Sequence, residues 1–271
     1  MRLRVAHSSI YRYDPPATGV IQVLRLTPRN HDGQYITDWR IDLTPDVRLA
    51  ARDDAFGNIT HVFTADGPLD ELHVDVCGQV ETQSANGVVH GTVERFPPGL
   101  YLRDTALTEA DAAIRDFAKK IHVTAGDDAL AALHGLLDGL HEDMRCDTAS
   151  RDDNPEPSNA AKSFTLKHGT PQDLAHIFIG AAHVIGIPAR CISGYFRKPA
   201  ADNAQETAHA WAEAYVADLG WVAFDPANGF CPTDTHIRVA VGLDYLGAAP
   251  MRGTRLGAGG ETLAVDIKVD Q

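Results

Sequence analysis

Ala208-His209-Ala210-Trp211-Ala212-Glu213-Ala214-Tyr215 alternates without a break. A two-residue period is the mark of a strand, because successive side chains leave its opposite faces. His209, Trp211, Glu213 and Tyr215 share one face; Ala210, Ala212, Ala214 and Val216 share the other. A face of such small residues lets a helix pack closely. Upstream, Gly169-Thr170-Pro171-Gln172-Asp173-Leu174-Ala175-His176 opens a strongly apolar run that reads as a buried helix starting at Pro171. Proline suits the first helical position, where its missing N–H would have no intrahelical acceptor. Gly186 and Pro188 end the helix. Downstream, Gly220-Trp221-Val222-Ala223-Phe224-Asp225-Pro226 is a strand running into a turn. Strands are expected over 189–196, 208–216 and 221–224. The second half therefore reads as α+β, helices first and then an antiparallel sheet.

Further from this centre, residues 1 to about 98 read as an all-β, sandwich-like domain. Short β-branched stretches at 20–26, 37–43, 58–64 and 72–80 are separated by the breakers Pro15–Pro16, Asp32–Gly33, Gly57–Asn58 and Pro97–Pro98–Gly99. After Pro98 a helical period appears. Thr108 is expected to cap a helix carrying Ile114, Phe117, Ala118 and Ile121, and Asp127 or Asp128 a second one carrying Leu130, Leu133, Leu137, Leu140 and Met144. Residues 151–158 read as a loop, 257–260 as a glycine hinge, and 262–269 as a closing strand. The expected division is a β-rich domain over 1–98 and an α+β core over 99–271.

Composition narrows the function. Lys and Arg number 24 against 37 Asp and Glu, a formal net charge of −13. That balance opposes wrapping nucleic acid or docking on an anionic membrane, and no local basic patch offsets it. No stretch approaches the ~20 apolar residues of a membrane helix, and the opening residues contain no signal-peptide-like apolar run. Cys77, Cys146, Cys191 and Cys231 form no C-x-x-C pair, so neither a zinc knuckle nor a redox motif is expected. The expectation is a reduced, cytoplasmic protein without a cofactor.

Six segments then carry a resemblance: AFGN at 55–58, LYLRDTALT at 100–108, GIPARCISGYF at 186–196, AHAWAEAYV at 208–216, GWVAFDPANG at 220–229 and IRVAVGLDY at 237–245. Together they resemble the transglutaminase-like superfamily, whose members include bacterial thiol proteases and amide-bond-remodelling enzymes. The resemblance implies a papain/transglutaminase-like core behind a β-rich N-terminal domain. It also implies a Cys-His-Asp triad in which His209 matches the general base and Asp225 the carboxylate that orients it. The nucleophile would stand at the helix N-terminus, where the helix dipole favours a thiolate. Here that position is Pro171, which has no ionisable atom. Inherited thiol chemistry is therefore not expected, although the fold survives.

The remaining residues offer few substitutes. Cys231, six residues after Asp225, is the candidate replacement thiol, with a structural role as its plainer reading. Cys191 reads as a small buried hydrophobe, and Thr170 lacks an adjacent base of the kind a threonine nucleophile needs. Thr170, Gln172 and Asp173, together with Cys231, are candidate binding residues around the vacated position; Asp173 also suits the helix N-terminus electrostatically. Trp211 is a candidate substrate platform, though more simply core. No metal site is expected: His134 and His141, like His176 and His183, sit two helical turns apart, about 10.5 Å of rise. His168 and His176 remain the pair that could flank the vacated site. Two functions follow. One is a pseudoenzyme that binds a peptide or protein amide ligand, with an amide-ligase-type protein as a possible partner. The other is an amide-bond hydrolase or transferase that uses His209 and Asp225 with water or a substitute thiol.

Overall fold

The computed structural model describes residues 1–147, 158–198 and 209–271. Most of the loop expected at 151–158, and Ala208, lie outside them. The fold is α+β, with antiparallel sheets preceding and following the helices.

The first sheet is built on two very long strands, β1 (Arg2–Thr27) and β4 (Ile59–Thr82), paired along almost their whole length. β2 (Gln34–Thr44) and β3 (Ala50–Asp53) line the free edge of β4. The breaker Pro15–Pro16 does not end a strand as expected. It lies within β1, where the pairing register shifts between Arg12 and Gly19. Proline cannot donate to the ladder, so the strand bulges and bends there instead. A Cβ at Gly67, on the facing strand, would come within 2.2 Å of the Ala17 carbonyl oxygen; only glycine permits that approach. The two halves of the bent hairpin then share one core, with Tyr11, Leu72 and Val74 from one half and Val20, Leu24 and Phe63 from the other.

Helices α1 (Ala112–Ala125), α2 (Ala129–Asp143), α3 (Ala160–Leu166) and α4 (Pro171–Val184) follow. Thr108 does not cap α1. Its hydroxyl accepts the Thr105 N–H at 2.9 Å, and Asp111 caps the helix by accepting the Ile114 N–H. Asp128 caps α2 by accepting the Ala131 N–H. α3, seven residues long, was not expected. α4 is the central helix, with Leu174, Ile177, Phe178 and Ala181 almost fully buried. Its apolar surface joins one core with Ala212 and Ala214, the small-residue face of the alternating strand.

The second sheet runs β11-β8-β9-β10-β5. Its strands are β5 (Val88–Val89), β8 (Ala189–Phe196), β9 (His209–Val216), β10 (Gly220–Phe224) and β11 (His236–Gly242). The short β6 (Arg145–Cys146) and β7 (His168–Gly169) pair in parallel just ahead of α4. After the single turn α5 (Tyr245–Ala248), the chain returns to the first sheet. There β12 (Met251–Leu256) and β13 (Gly260–Asp270) both pair with β1. The expected division at residue 98 therefore does not separate the sheets. The closing strand closes the first sheet, and β5 belongs to the second.

Two contacts bind the two sheets, and a buried ion cluster ties strands of the second sheet together. Leu3, Val5 and Val80 share a cluster with Tyr195, Ile237 and Val239. Asn58, in the AFGN turn, exchanges hydrogen bonds with both backbone groups of Val241, each at 2.8 Å, as a neighbouring strand residue would. Glu213, fully buried, is held by Arg190 and Arg238, each with a contact at 2.7 Å, and Arg190 also reaches Glu94. Burial pushes the Glu213 carboxyl up, but Arg238 and Arg190 outweigh it and hold it at about 2.

Two buried histidines make this core acid-sensitive. His7 sits between Tyr195 Oη at 3.0 Å and Ser9 Oγ at 2.9 Å. His176 accepts the Tyr245 backbone N–H on Nε2 at 2.9 Å, which requires the neutral ring. Burial pushes both down to about 4 from an ordinary 6.5. Between those values the unfolded chain binds protons that the folded one refuses, so stability is intact above 6.5 and falls as the pH drops towards 4. Each site costs up to about 1.4 kcal/mol per pH unit within that window. Urea unfolding should show stability declining steeply from pH 6.5 to 4.5; a flat profile would contradict this account.

Candidate active site

The ends of four strands meet at one edge of the second sheet. β8 ends at Phe196 and β10 at Phe224, while β9 starts at His209 and β11 at His236. Antiparallel order alone brings these ends together. Asp225, one residue beyond β10, lies at their centre and is fully buried.

Its carboxylate is hydrogen-bonded on both oxygens. Oδ2 accepts from His209 Nε2 at 2.6 Å, from Asn228 Nδ2 at 2.7 Å and from His236 Nε2 at 3.1 Å. Oδ1 accepts the backbone N–H groups of Ala227 and Asn228 at 3.1 and 3.3 Å. Burial alone would favour the neutral acid, but His209 and His236 reverse that and hold the carboxyl far below the usual carboxylate range. Asp225 is therefore an anion and His209 is oriented by it. With Nε2 engaged, Nδ1 is the His209 nitrogen left to act on a ligand. The two residues that sequence reasoning placed in a base–carboxylate couple are in direct contact.

Pro171 is the first residue of α4 and is buried. Thr170 caps the helix: its hydroxyl accepts the Asp173 N–H, while Asp173 Oδ2 accepts from the Thr170 N–H and hydroxyl, both at 2.9 Å. Thr170 and Asp173 thus form a reciprocal capping box. The Thr170 hydroxyl donates to a carboxylate on its own helix, not to a histidine base. Gln172 is half-buried beside the Tyr245 hydroxyl. Trp211 is 2% exposed, within a cluster of Ile192, Ala223 and Val241. Its ring also lies 6.1 Å from His209 and edge-on to His236 at 5.4 Å. It walls the dyad and offers almost no surface to a ligand.

The thiols are placed unevenly. Cys191 is fully buried. Cys231 is half-buried against the helical core, on the side of Gly87, and burial pushes its thiol up to about 11. Cys146, which sequence reasoning passed over, pairs with Gly169, two residues before Pro171. Burial, then Asp225 and Asp147, push its thiol up to about 12. These shifts disfavour the thiolate a nucleophile needs.

His168 bonds Asp147 and His176 bonds Tyr245, so that pair is spent elsewhere. A different grouping has metal-like spacing among the described residues: His209, Asp225 and His236 bring one ligand atom each within 4.8 Å of one another. Its contacts are hydrogen bonds converging on a single carboxylate oxygen. His236 went unnoticed in the sequence because the strand carrying it was not recognised.

Comparison with known proteins agrees with this architecture. Residues 3–81 match the bacterial transglutaminase-like N-terminal region and residues 115–226 the transglutaminase-like superfamily. The chain is 29% identical, over 287 aligned positions, to the uncharacterized protein ML0607 of Mycobacterium leprae, covering 99% of this chain and 98% of that one. A 77-residue stretch, 25% of this chain and 10% of the other, is 30% identical to the uncharacterized protein YebA of Bacillus subtilis. A crystal structure from Cytophaga hutchinsonii, provisionally described as a cysteine protease, superposes with a TM-score of 0.77. It covers 100% of this chain and 90% of that one at 16% identity, a likeness of fold.

The thiol environments give a direct test. At neutral pH an electrophilic thiol probe should label exposed Cys77 first, and Cys146, Cys231 and Cys191 more slowly. Peptide mapping that found Cys231 or Cys146 labelled ahead of Cys77 would reveal an activated thiol.

Proposed function

The chain belongs to the transglutaminase-like superfamily, and on that premise we propose that it keeps the family's amide-recognising cleft without its thiol chemistry, binding a peptide-like or protein amide segment. One observation carries this reading. The His209–Asp225 couple is intact at 2.6 Å, while the position that the resemblance gives to the nucleophile is a buried proline inside a closed capping box. Removing a triad nucleophile leaves only the residual rate due to binding and electrostatics. An amide-ligase-type protein is the kind of partner this reading expects, and the cytoplasm the place.

A second reading is favoured by the full hydrogen bonding of Asp225. Such an anchored imidazole suits a general base acting on water, giving an amide-bond hydrolase that needs no thiol.

Peptidase and amine-transfer assays on casein and generic peptides separate the two. The first reading expects no turnover above a His209→Ala control. Turnover lost in His209→Ala would establish the second. Pro171→Cys should then raise turnover at least about tenfold, a small part of what a nucleophile supplies, and an alkylating agent should abolish the gain. No gain in a folded variant would mean that the cleft has been rebuilt for another purpose.

A further inference from the structure

His236 has a defined protonation pattern that its neighbours fix. The Thr233 backbone N–H donates to His236 Nδ1 at 3.3 Å, and the Thr235 hydroxyl lies 3.1 Å from the same nitrogen. A nitrogen that accepts from an amide N–H carries no proton of its own. The proton is therefore on Nε2, which donates it to Asp225 Oδ2 at 3.1 Å. The ring is 6% exposed and enclosed by Phe196 at 4.6 Å, Trp211 at 5.4 Å and Phe230 at 5.9 Å. The titratable groups facing it are Asp225, beyond β10, and His209, on β9, whose ring is 6.0 Å away. Burial lowers its proton affinity, in keeping with a neutral ring.

The same pattern disfavours a metal. A cation on Nε2 would require the proton on Nδ1, directly facing the Thr233 N–H.

We propose that His236 is a positioning residue: an imidazole protonated on Nε2 that shares the Asp225 carboxylate with His209, and so fixes where that carboxylate holds the His209 ring. With His236 gone, Asp225 Oδ2 would lose one of its three side-chain donors, and the His209 contact would lose its fixed geometry. This rests on the preceding reading only in taking His209–Asp225 as the site; it requires no turnover.

The test is nitrogen–proton correlation NMR on the full chain, with histidines assigned by single substitutions. Wild-type His236 should show the Nε2–H tautomer at pH 7. The His209 Nε2–H, donated to Asp225, should give a resolved downfield proton signal in the wild type, lose it to exchange broadening in His236→Ala, and regain it in His236→Gln, whose amide can donate in place of the ring. A protonated Nδ1 on wild-type His236 would overturn the proposal. So would an unchanged His209 signal in folded His236→Ala, or its loss in His236→Gln as in His236→Ala. If His236→Ala does not fold, the wild-type tautomer and the His236→Gln signal decide. Absence of assay activity would bear on the proposed function and leave this result standing.

Discussion

A carboxylate buried away from water has to be met by donors, and Asp225 is met by five. That requirement organises one end of the second sheet. The donors come from the start of β9, the start of β11 and the turn that follows β10, so the segment between Phe224 and His236 must fold back across the sheet end. Buried charges are strongly destabilising when unpaired and only modestly favourable when paired. The cluster therefore specifies an arrangement more than it adds stability. Glu213 does the same further along β9, where Arg190 and Arg238 fix β8 and β11 against it.

Pro171 stands where a helix accepts a proline at no cost. At the first helical position a proline breaks no hydrogen bond, and the reciprocal contacts of Thr170 and Asp173 satisfy donors the helix would otherwise leave open. The helix is secured by its apolar packing on Ala212 and Ala214. A substitution at its first residue would therefore leave what positions His209 undisturbed, which is the structural premise of the proposed loss of thiol chemistry.

The local parts of this structure were legible in the sequence. The alternation from His209 to Val216, the apolar run after Pro171 and the two inward-facing faces follow from periodicity, and the motifs around 209 and 225 located the couple. What escaped was non-local. Nothing in the alternation of 262–269 says that its partner is β1. Pro15–Pro16 looks like a stop until the facing Gly67 is seen to admit a bend. β11 is an apolar run without a clear period, and its unrecognised strand hid His236. Thr108 had the chemistry of a cap, but a nearer donor, the Thr105 N–H, had already claimed its hydroxyl.

The return of β12 and β13 to β1 also constrains the order of folding. Arg4 pairs with Asp270 and Gly19 with Leu256, so one whole edge of β1 stays unfilled until these two strands, which follow every other element, have docked. Until then the folding chain carries an open strand edge, a template for wrong pairing. Loss of β12 and β13 would thus be felt first in β1, more than two hundred residues away in sequence.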